Sequence, residues 1–420
     1  MECQVRIMHR MKKEIYDSKA FKSIALPHQQ IYLQWRSDYN KEHMKKWGCW
    51  FKGKLPENYT LPKQKDPINK SRLLSTYFNH PLRAVYKNAS TILTWLFKSI
   101  QRSYGMFTLF QLKDIKPRLR RAQKKLRNTY GRSTKLKILQ SDIKQMYTYL
   151  DHDQIIQAII WMCGRAKKMH EAKGKRTRRK ENYILISKFK NADTGKKYVR
   201  WSGVVGDEDH YTFSLDDLIL IVMYDLRNSY QSRGKDVFLQ IYGCPIGGFL
   251  SAIYANVKCA YDEFLFLQRI KFHINNIYGI RQMDDLILFI SYDGNSPNSE
   301  ERALAIKKQV LEKDCAYKGG LELEEQQYDQ IDNVTTRHKF AGTNIYVHQP
   351  TNDNIYIFCA PLNKNREAIN STGQQLIPRF IPKNSMVPQH YKIGMQMTTF
   401  LRLDEQSNTY RRYSCRIDDR

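Results

Sequence analysis

The chain has 420 residues, with 70 Lys and Arg against 41 Asp and Glu, a formal charge of +29. At 41% hydrophobic and 12% aromatic it lies outside the weakly hydrophobic, highly charged range of chains that stay unfolded, and its length suits two or three subdomains. No apolar stretch approaches the ~20 residues of a membrane-spanning helix, and the opening residues are polar and charged, unlike the apolar block of a signal peptide. The expectation is an intracellular protein with no membrane partner. The eight cysteines are widely separated, with no C-x-x-C pair and no Cys/His cluster at zinc spacing, and read as reduced thiols. A surplus this large gathers polyanions, and nucleic acid is the first partner to expect.

Taken in chain order, residues 82–101 carry Val85, Ile92, Leu93, Leu96 and Phe97 at helical spacing and predict a core-facing helix. Residues 101–140 hold twelve Lys/Arg and one acid, Asp114; residues 164–200 hold fourteen and three. These two segments supply +22 of the +29. A charge run reads as a solvated face or as a polyanion surface, and the interleaved Tyr104, Phe107, Phe110, Tyr130, Tyr183, Phe189, Tyr198 and Trp201 suit base stacking. Residues 152–164 predict a second helix with Ile155, Ile156, Ile159 and Ile160 inward. The run Gly174 to Lys180 fits a nuclear localisation patch, which leaves the nucleus open as an address. The acids Asp207, Glu208 and Asp209 beside His210 read as a solvated loop. Ser214 and Asp217 predict a helix N-cap ahead of Leu218–Leu226. Leu286–Ile290 and Thr343–Val347 predict strands. The alternation of types predicts a mixed α+β fold.

Two segments carry chemistry. In the first, the apolar Lys137–Leu139 leads to a single acid, Asp142, with an aromatic, Tyr147, five residues on. In the second, Asp284 and Asp285 stand directly before an apolar run. Adjacent acids beside a strand are costly to bury unless a cation offsets them. One acid from a strand and two from a hairpin turn supply the oxygen ligands that a two-Mg²⁺ phosphoryl- or nucleotidyl-transfer site needs. The string Asp-Asp-Leu-Ile-Leu also occurs at Asp216–Leu220, where the acids follow Ser214 and complement a helix dipole.

In order along the chain, Asp142–Leu150, Gln240–Asn256 with its Gln-x-x-Gly-x-x-x-Gly-x-x-x-Ser pattern, Met283-Asp284-Asp285 and His338-Lys339-Phe340-Ala341-Gly342 resemble successive palm motifs of reverse transcriptases. The group they resemble most is the Penelope-like element enzymes, retroelement relatives of telomerase. Leu61-Pro62-Lys63 and Asn69–Ser75, followed by Pro81, are similar to that group's fingers motifs, so the resemblance spans roughly residues 61–345.

It implies a right-hand polymerase: fingers with an N-terminal extension over 1–138, a palm of antiparallel sheet backed by helices over 139–345 with a basic insertion at about 164–200, and a helical thumb over 346–420. It implies an RNA-directed DNA polymerase that extends a primer 3′-OH with dNTPs on an RNA template, the primer being DNA or RNA. Asp142, Asp284 and Asp285 would be the catalytic metal ligands for two Mg²⁺, with Mn²⁺ as a substitute. Lys63, Lys70, Arg72, Tyr147, Gln240 and Gly243 would contact the nucleotide, Arg72 and one lysine clamping its triphosphate. Phe340 and Gly342 would belong to the primer grip. The Tyr147 ring would close the space beside the sugar 2′ carbon and exclude a ribose hydroxyl. Gln282 stands where these enzymes usually carry an aromatic, and Ala252 where they carry proline. An RNA-dependent RNA polymerase and a non-catalytic nucleic-acid-binding protein on the same fold are the alternatives.

Overall fold

A computed structural model describes residues 12–41, 47, 53–63, 66–101, 106–174, 181–351 and 353–362, without the side chains of 13, 62–63, 66–70, 174, 271 and 272. The N-terminal elements are β1 (Phe21–Ile24), α1 (His28–Lys41), β2 (Glu57–Lys63), β3 (Asp66–Thr76), α2 (Arg83–Gln101) and α3 (Ile115–Tyr130). Next come β4 (Thr134–Ile143), α4 (His152–Gly174), β5 (Tyr183–Ser187), β6 (Val199–Ser202), β7 (His210–Phe213) and α5 (Leu215–Arg227). Then follow β8 (Tyr230–Arg233), β9 (Asp236–Gln240), α6 (Ser251–Arg269), β10 (Ile277–Gln282), β11 (Asp285–Asp293) and α7 (Pro297–Leu311). The last are β12 (Leu323–Glu325), β13 (Asp329–Asp332), β14 (Thr335–Phe340), β15 (Thr343–His348) and β16 (Tyr356–Pro361). The fold is mixed α+β, as expected.

The chain forms two compact units. One comprises residues up to 106, 145–265 and 317–321. It holds a five-stranded sheet in the order β1-β9-β8-β2-β3 and a three-stranded sheet in the order β6-β5-β7. The helix expected at 82–101 is α2, whose Val85, Ala89, Ile92, Leu96 and Ile100 recur every three or four residues and are buried, the stripe that fixes an amphipathic helix. The helix expected at 152–164 runs on to Gly174, because the Ala, Met, Lys and Glu beyond residue 164 propagate a helix well. Its Ile155 and Ile159 are buried, but Ile160 is exposed. At 3.6 residues per turn Ile159 lies about 40° round the helix from Ile155, whereas Ile160 lies about 140° round and leaves the buried face.

The other unit comprises residues 107–144, 266–316 and those from 322 on. Its first sheet runs β10-β11-β4-β12, with every pairing antiparallel, and its second is the meander β13-β14-β15-β16. Helix α3 buries Ile115, Leu119, Ala122 and Leu126 in one cluster with Ile280, Ile287 and Phe289 of the first sheet and Ile345, Val347 and Ile357 of the second. The basic run 101–140 is largely the outer face of this helix. Several of its cations are structural: Arg118 donates to the carbonyl oxygens of Phe107 and Gly279, Lys125 to those of Ile274 and Ile277, and Arg127 to that of Ile355. Residues 346–361, the start of the expected helical thumb, complete β15 and form β16, since Val347, Ile357 and Cys359 enter the core at alternate positions. The rest of that expected thumb, 363–420, lies outside the described residues, as does most of the basic run to Lys180.

Among the described residues no helix is long and apolar enough to cross a membrane. Cys163, Cys244, Cys259, Cys315 and Cys359 are free thiols.

Candidate active site

Strand β4 lies between β11 and β12, and its register sets the site. Asp142 is paired directly with Asp285 on one side and with Glu324 on the other. Directly opposed residues of antiparallel strands share a sheet face, so three carboxylates stand in a row across three strands. The amide of Ile143 donates to the carbonyl oxygen of Asp284 at 2.9 Å. The neighbouring pair Asp142–Asp285 is therefore of the non-hydrogen-bonded kind, in which Cα atoms approach to about 4.5 Å. Like charges so placed are destabilising without a counter-ion.

Asp284 lies in the two-residue connection between β10 and β11, where Gln282 pairs with Asp285. Met283, the first residue of that connection, has φ 57°. A hairpin loop of this length requires a positive φ there, a conformation that favours glycine. Strained residues of this kind gather at functional sites. Arg281, fully buried, donates to the Met283 carbonyl at 2.9 Å and to the Thr108 hydroxyl at 2.8 Å. Its own backbone pairs with the segment beside it, the Leu109 amide donating to the Arg281 carbonyl at 2.7 Å and the Arg281 amide to that of Phe107 at 2.8 Å. Sequence reasoning passed over Arg281 and Glu324. The alternation Leu321-Glu322-Leu323-Glu324 marked a strand, but nothing local gave its partner.

Among the described residues no three His, Cys, Asp or Glu side chains close into a ready metal cage. The donor set nevertheless suits a hard divalent cation: oxygen atoms only, from Asp142, Asp285 and the adjacent Asp284, with two like charges directly opposed.

The motif at His338–Gly342 forms the tip of β14–β15. Ala341 (φ 47°) and Gly342 (φ 74°) make a two-residue turn between the paired Phe340 and Thr343, the type I′ pattern. Phe340 is buried in the core, so what the tip presents outward is backbone. Gln140, two residues before Asp142, binds this hairpin through both ends of its amide: Nε2 donates to the Lys339 carbonyl at 2.6 Å, and Oε1 accepts from the Lys339 amide at 3.2 Å. His338 is buried, with its ring 5.2 Å from that of Tyr328. Burial, then the charge of Lys307, pushes its pKa down to about 4.

The remaining expected residues fall in the other unit. Gly243 (φ 76°) has its amide on the Leu150 carbonyl at 2.8 Å, and a Cβ there would lie 2.7 Å from the carbonyl oxygens of Tyr147 and Thr148. Gly247 is pressed in the same way onto the Ser75 carbonyl. Both glycines are accounted for by backbone meeting backbone. Gln240 is buried, its Oε1 accepting from Gln231 at 2.6 Å and its Nε2 donating to the Tyr242 carbonyl at 3.1 Å. Its amide is committed to holding the sheet. Arg72 is exposed on β3, opposite Leu61. Tyr147 is half-buried. The side chains of Lys63 and Lys70 lie outside the described residues. Asp216 and Asp217 behave as a helix start, with Ser214 and Asp217 in a reciprocal capping box. Asp207 is exposed and engaged by His210 at 2.6 Å.

No family model matches the sequence, and no curated protein matches it. Solved structures do. One is apo telomerase from Candida tropicalis, with TM-score 0.50 and 12% identity over 78% of this chain and 53% of that one. A second is telomerase from Candida albicans in complex with a fragment of telomeric RNA, with TM-score 0.50 and 12% identity over 88% of this chain and 52% of that one. The corresponding Candida tropicalis complex has the same TM-score and identity, over 89% and 52%. The chain spans about half the length of the telomerase chains it matches. At this identity the likeness speaks to fold: the chain has a polymerase fold similar to that of telomerase.

Proposed function

We propose that the protein is an RNA-directed DNA polymerase of the telomerase-related kind, with the Penelope-like retroelement enzymes as the relatives its motifs resemble. The observation that carries the reading is the direct pairing of Asp142 with Asp285, next to Asp284 in the hairpin turn. Asp142 and Asp285, more than 140 residues apart in sequence, face each other at the same end of the sheet's two central strands. A chain with no cation to hold gains nothing from that repulsion.

Asp142, Asp284 and Asp285 would hold two Mg²⁺, or Mn²⁺. When bound, the ions would make the primer 3′-OH more acidic and offset charge on the leaving pyrophosphate. The chain's own work is positioning. Gln140 fixes the β14–β15 tip, whose Ala341–Gly342 backbone would steady the primer, and Arg281 fixes the turn that presents Asp284. Arg72 would bind the triphosphate, an Arg fork being suited to phosphate, and Tyr147 would exclude a ribose 2′-OH by size. RNA template, primer and dNTPs are the partners this reading requires, in a right-hand layout of fingers, palm and thumb.

The test is primer extension by purified full chain on an RNA template, with dNTPs and NTPs in parallel and Asp284→Ala as control. Extension with dNTPs that Asp284→Ala abolishes is expected, and Tyr147→Ala should gain use of NTPs. An NTP preference in the wild type would indicate an RNA-dependent RNA polymerase, and no extension by either protein would indicate a binding protein; either overturns the proposal.

A further inference from the structure

The basic insertion is not consumed by the reading above, and its described part has a definite surface. Between β5 and β6 the chain makes a loop that carries Phe189 and Lys190, both exposed, Phe189 at 73%. Lys197, at the far side of the same loop, donates to Asn88 Oδ1 on α2 at 2.9 Å, which ties the loop to that helix. On α2, Lys87 is exposed and Arg83 sits 4.7 Å over the ring of Phe78, itself 70% exposed. Partial desolvation, then the charges of Arg83 and Lys190, pull the Lys87 pKa down; desolvation and then Lys190 do the same to Lys197. These cations crowd one another. Among the described residues none of Arg83, Lys87, Lys190 and Lys197 is in an ion pair; of the nearby acids, Asp207 is engaged by His210, while Asp193 and Asp209 pair with none of the four.

Crowded cations that no acid pairs fit a polyanion. Two exposed phenylalanines, Phe78 beneath Arg83 and Phe189 next to Lys190 in the chain, narrow the choice, because a duplex keeps its base faces stacked and closed whereas an unpaired strand offers them to a ring. We infer that the strip Phe78–Arg83–Lys87–Lys190–Lys197–Phe189 is a binding surface for a single-stranded polynucleotide, with phosphates on the cations and bases on the two phenylalanines. It is independent of polymerase chemistry and requires neither metal nor nucleotide.

The test is fluorescence anisotropy with the full chain, in EDTA and across a salt series, against a labelled single-stranded oligonucleotide and a duplex of equal length. Phe78→Ala with Phe189→Ala should weaken single-strand binding by about fivefold or more, leaving the salt dependence and duplex binding unchanged. Lys87→Ala with Lys190→Ala should lower the slope of log K against log salt by about 1.4 for the single strand, at ~0.7 for each phosphate lost. All four side chains are wholly or largely in solvent, so the fold is not at stake. Equal losses on duplex and single strand would make the strip a general phosphate surface, and no loss on either would make it a solvated face; both overturn the inference. Since EDTA removes any polymerase activity, this result and the extension assay stand or fall separately.

Discussion

The guanidinium of Arg281 donates to the carbonyl of Met283 at 2.9 Å, and Met283 is the residue whose φ of 57° turns the chain just ahead of Asp284. A buried cation therefore holds a strained residue, and through it the backbone that presents a candidate ligand. Met283→Gly should relieve about 1 kcal/mol of left-handed strain, and Arg281→Met should cost at least ~2 kcal/mol by leaving buried acceptors unmade. Urea midpoints of the two variants should move in opposite directions. If Arg281 acts through the turn, the double variant is more stable than the sum of the two single effects requires; a purely additive double variant would show that it does not.

The opposition of Asp142 and Asp285 makes a metal-free cost visible. Asp142→Asn removes the middle charge of the row Asp285–Asp142–Glu324 and should stabilise the protein in EDTA by about 0.5–1 kcal/mol. Mg²⁺ should raise the melting temperature of the wild type by binding linkage and leave the variant unmoved. An equal Mg²⁺ response in both proteins would place the cation elsewhere.

Gly243→Ala should destabilise by at least ~2 kcal/mol, since its φ of 76° is left-handed and its Cβ would meet two carbonyl oxygens at 2.7 Å. Gly234→Ala shares the left-handed φ, at 56°, but has open space around it, and should lose only the strain of about 1 kcal/mol. Thermal denaturation of the pair separates crowding from strain.

Burial holds the folded-state pKa of His338 at about 4, below the ~6.5 of an unfolded chain. The unfolded state then binds the extra proton first, so the contribution is intact above pH 6.5 and is lost as pH falls through 6.5 toward 4. At pH 4.5 the loss should be about 2–3 kcal/mol. His80 in the other unit is pushed the same way, to about 3, so the diagnostic quantity is a difference. His338→Gln should show a smaller drop in urea midpoint between pH 7.5 and 4.5 than wild type. A parallel drop would mean that His338 is already solvated.

What local physics writes into a sequence was legible here. The stripe of α2, the Ser214–Asp217 cap and the strand after Asp285 were readable because each depends on neighbours within a few residues. Motif order singled out Asp142, Asp284 and Asp285 in the sequence. The same string Asp-Asp-Leu-Ile-Leu, however, is helix at 216–220 and hairpin strand at 284–288: a capping serine decides the first, and pairing with β4 and β10 decides the second. Tertiary structure alone set Asp142 opposite Asp285 and Glu324, turned Gln240 and Gly243 inward, and put Arg281 under the Met283 turn. Strand register, close backbone approach and a buried side chain's partner are contacts between segments far apart in the chain. Their energies depend on which surfaces meet, and no local pattern of residue types encodes that.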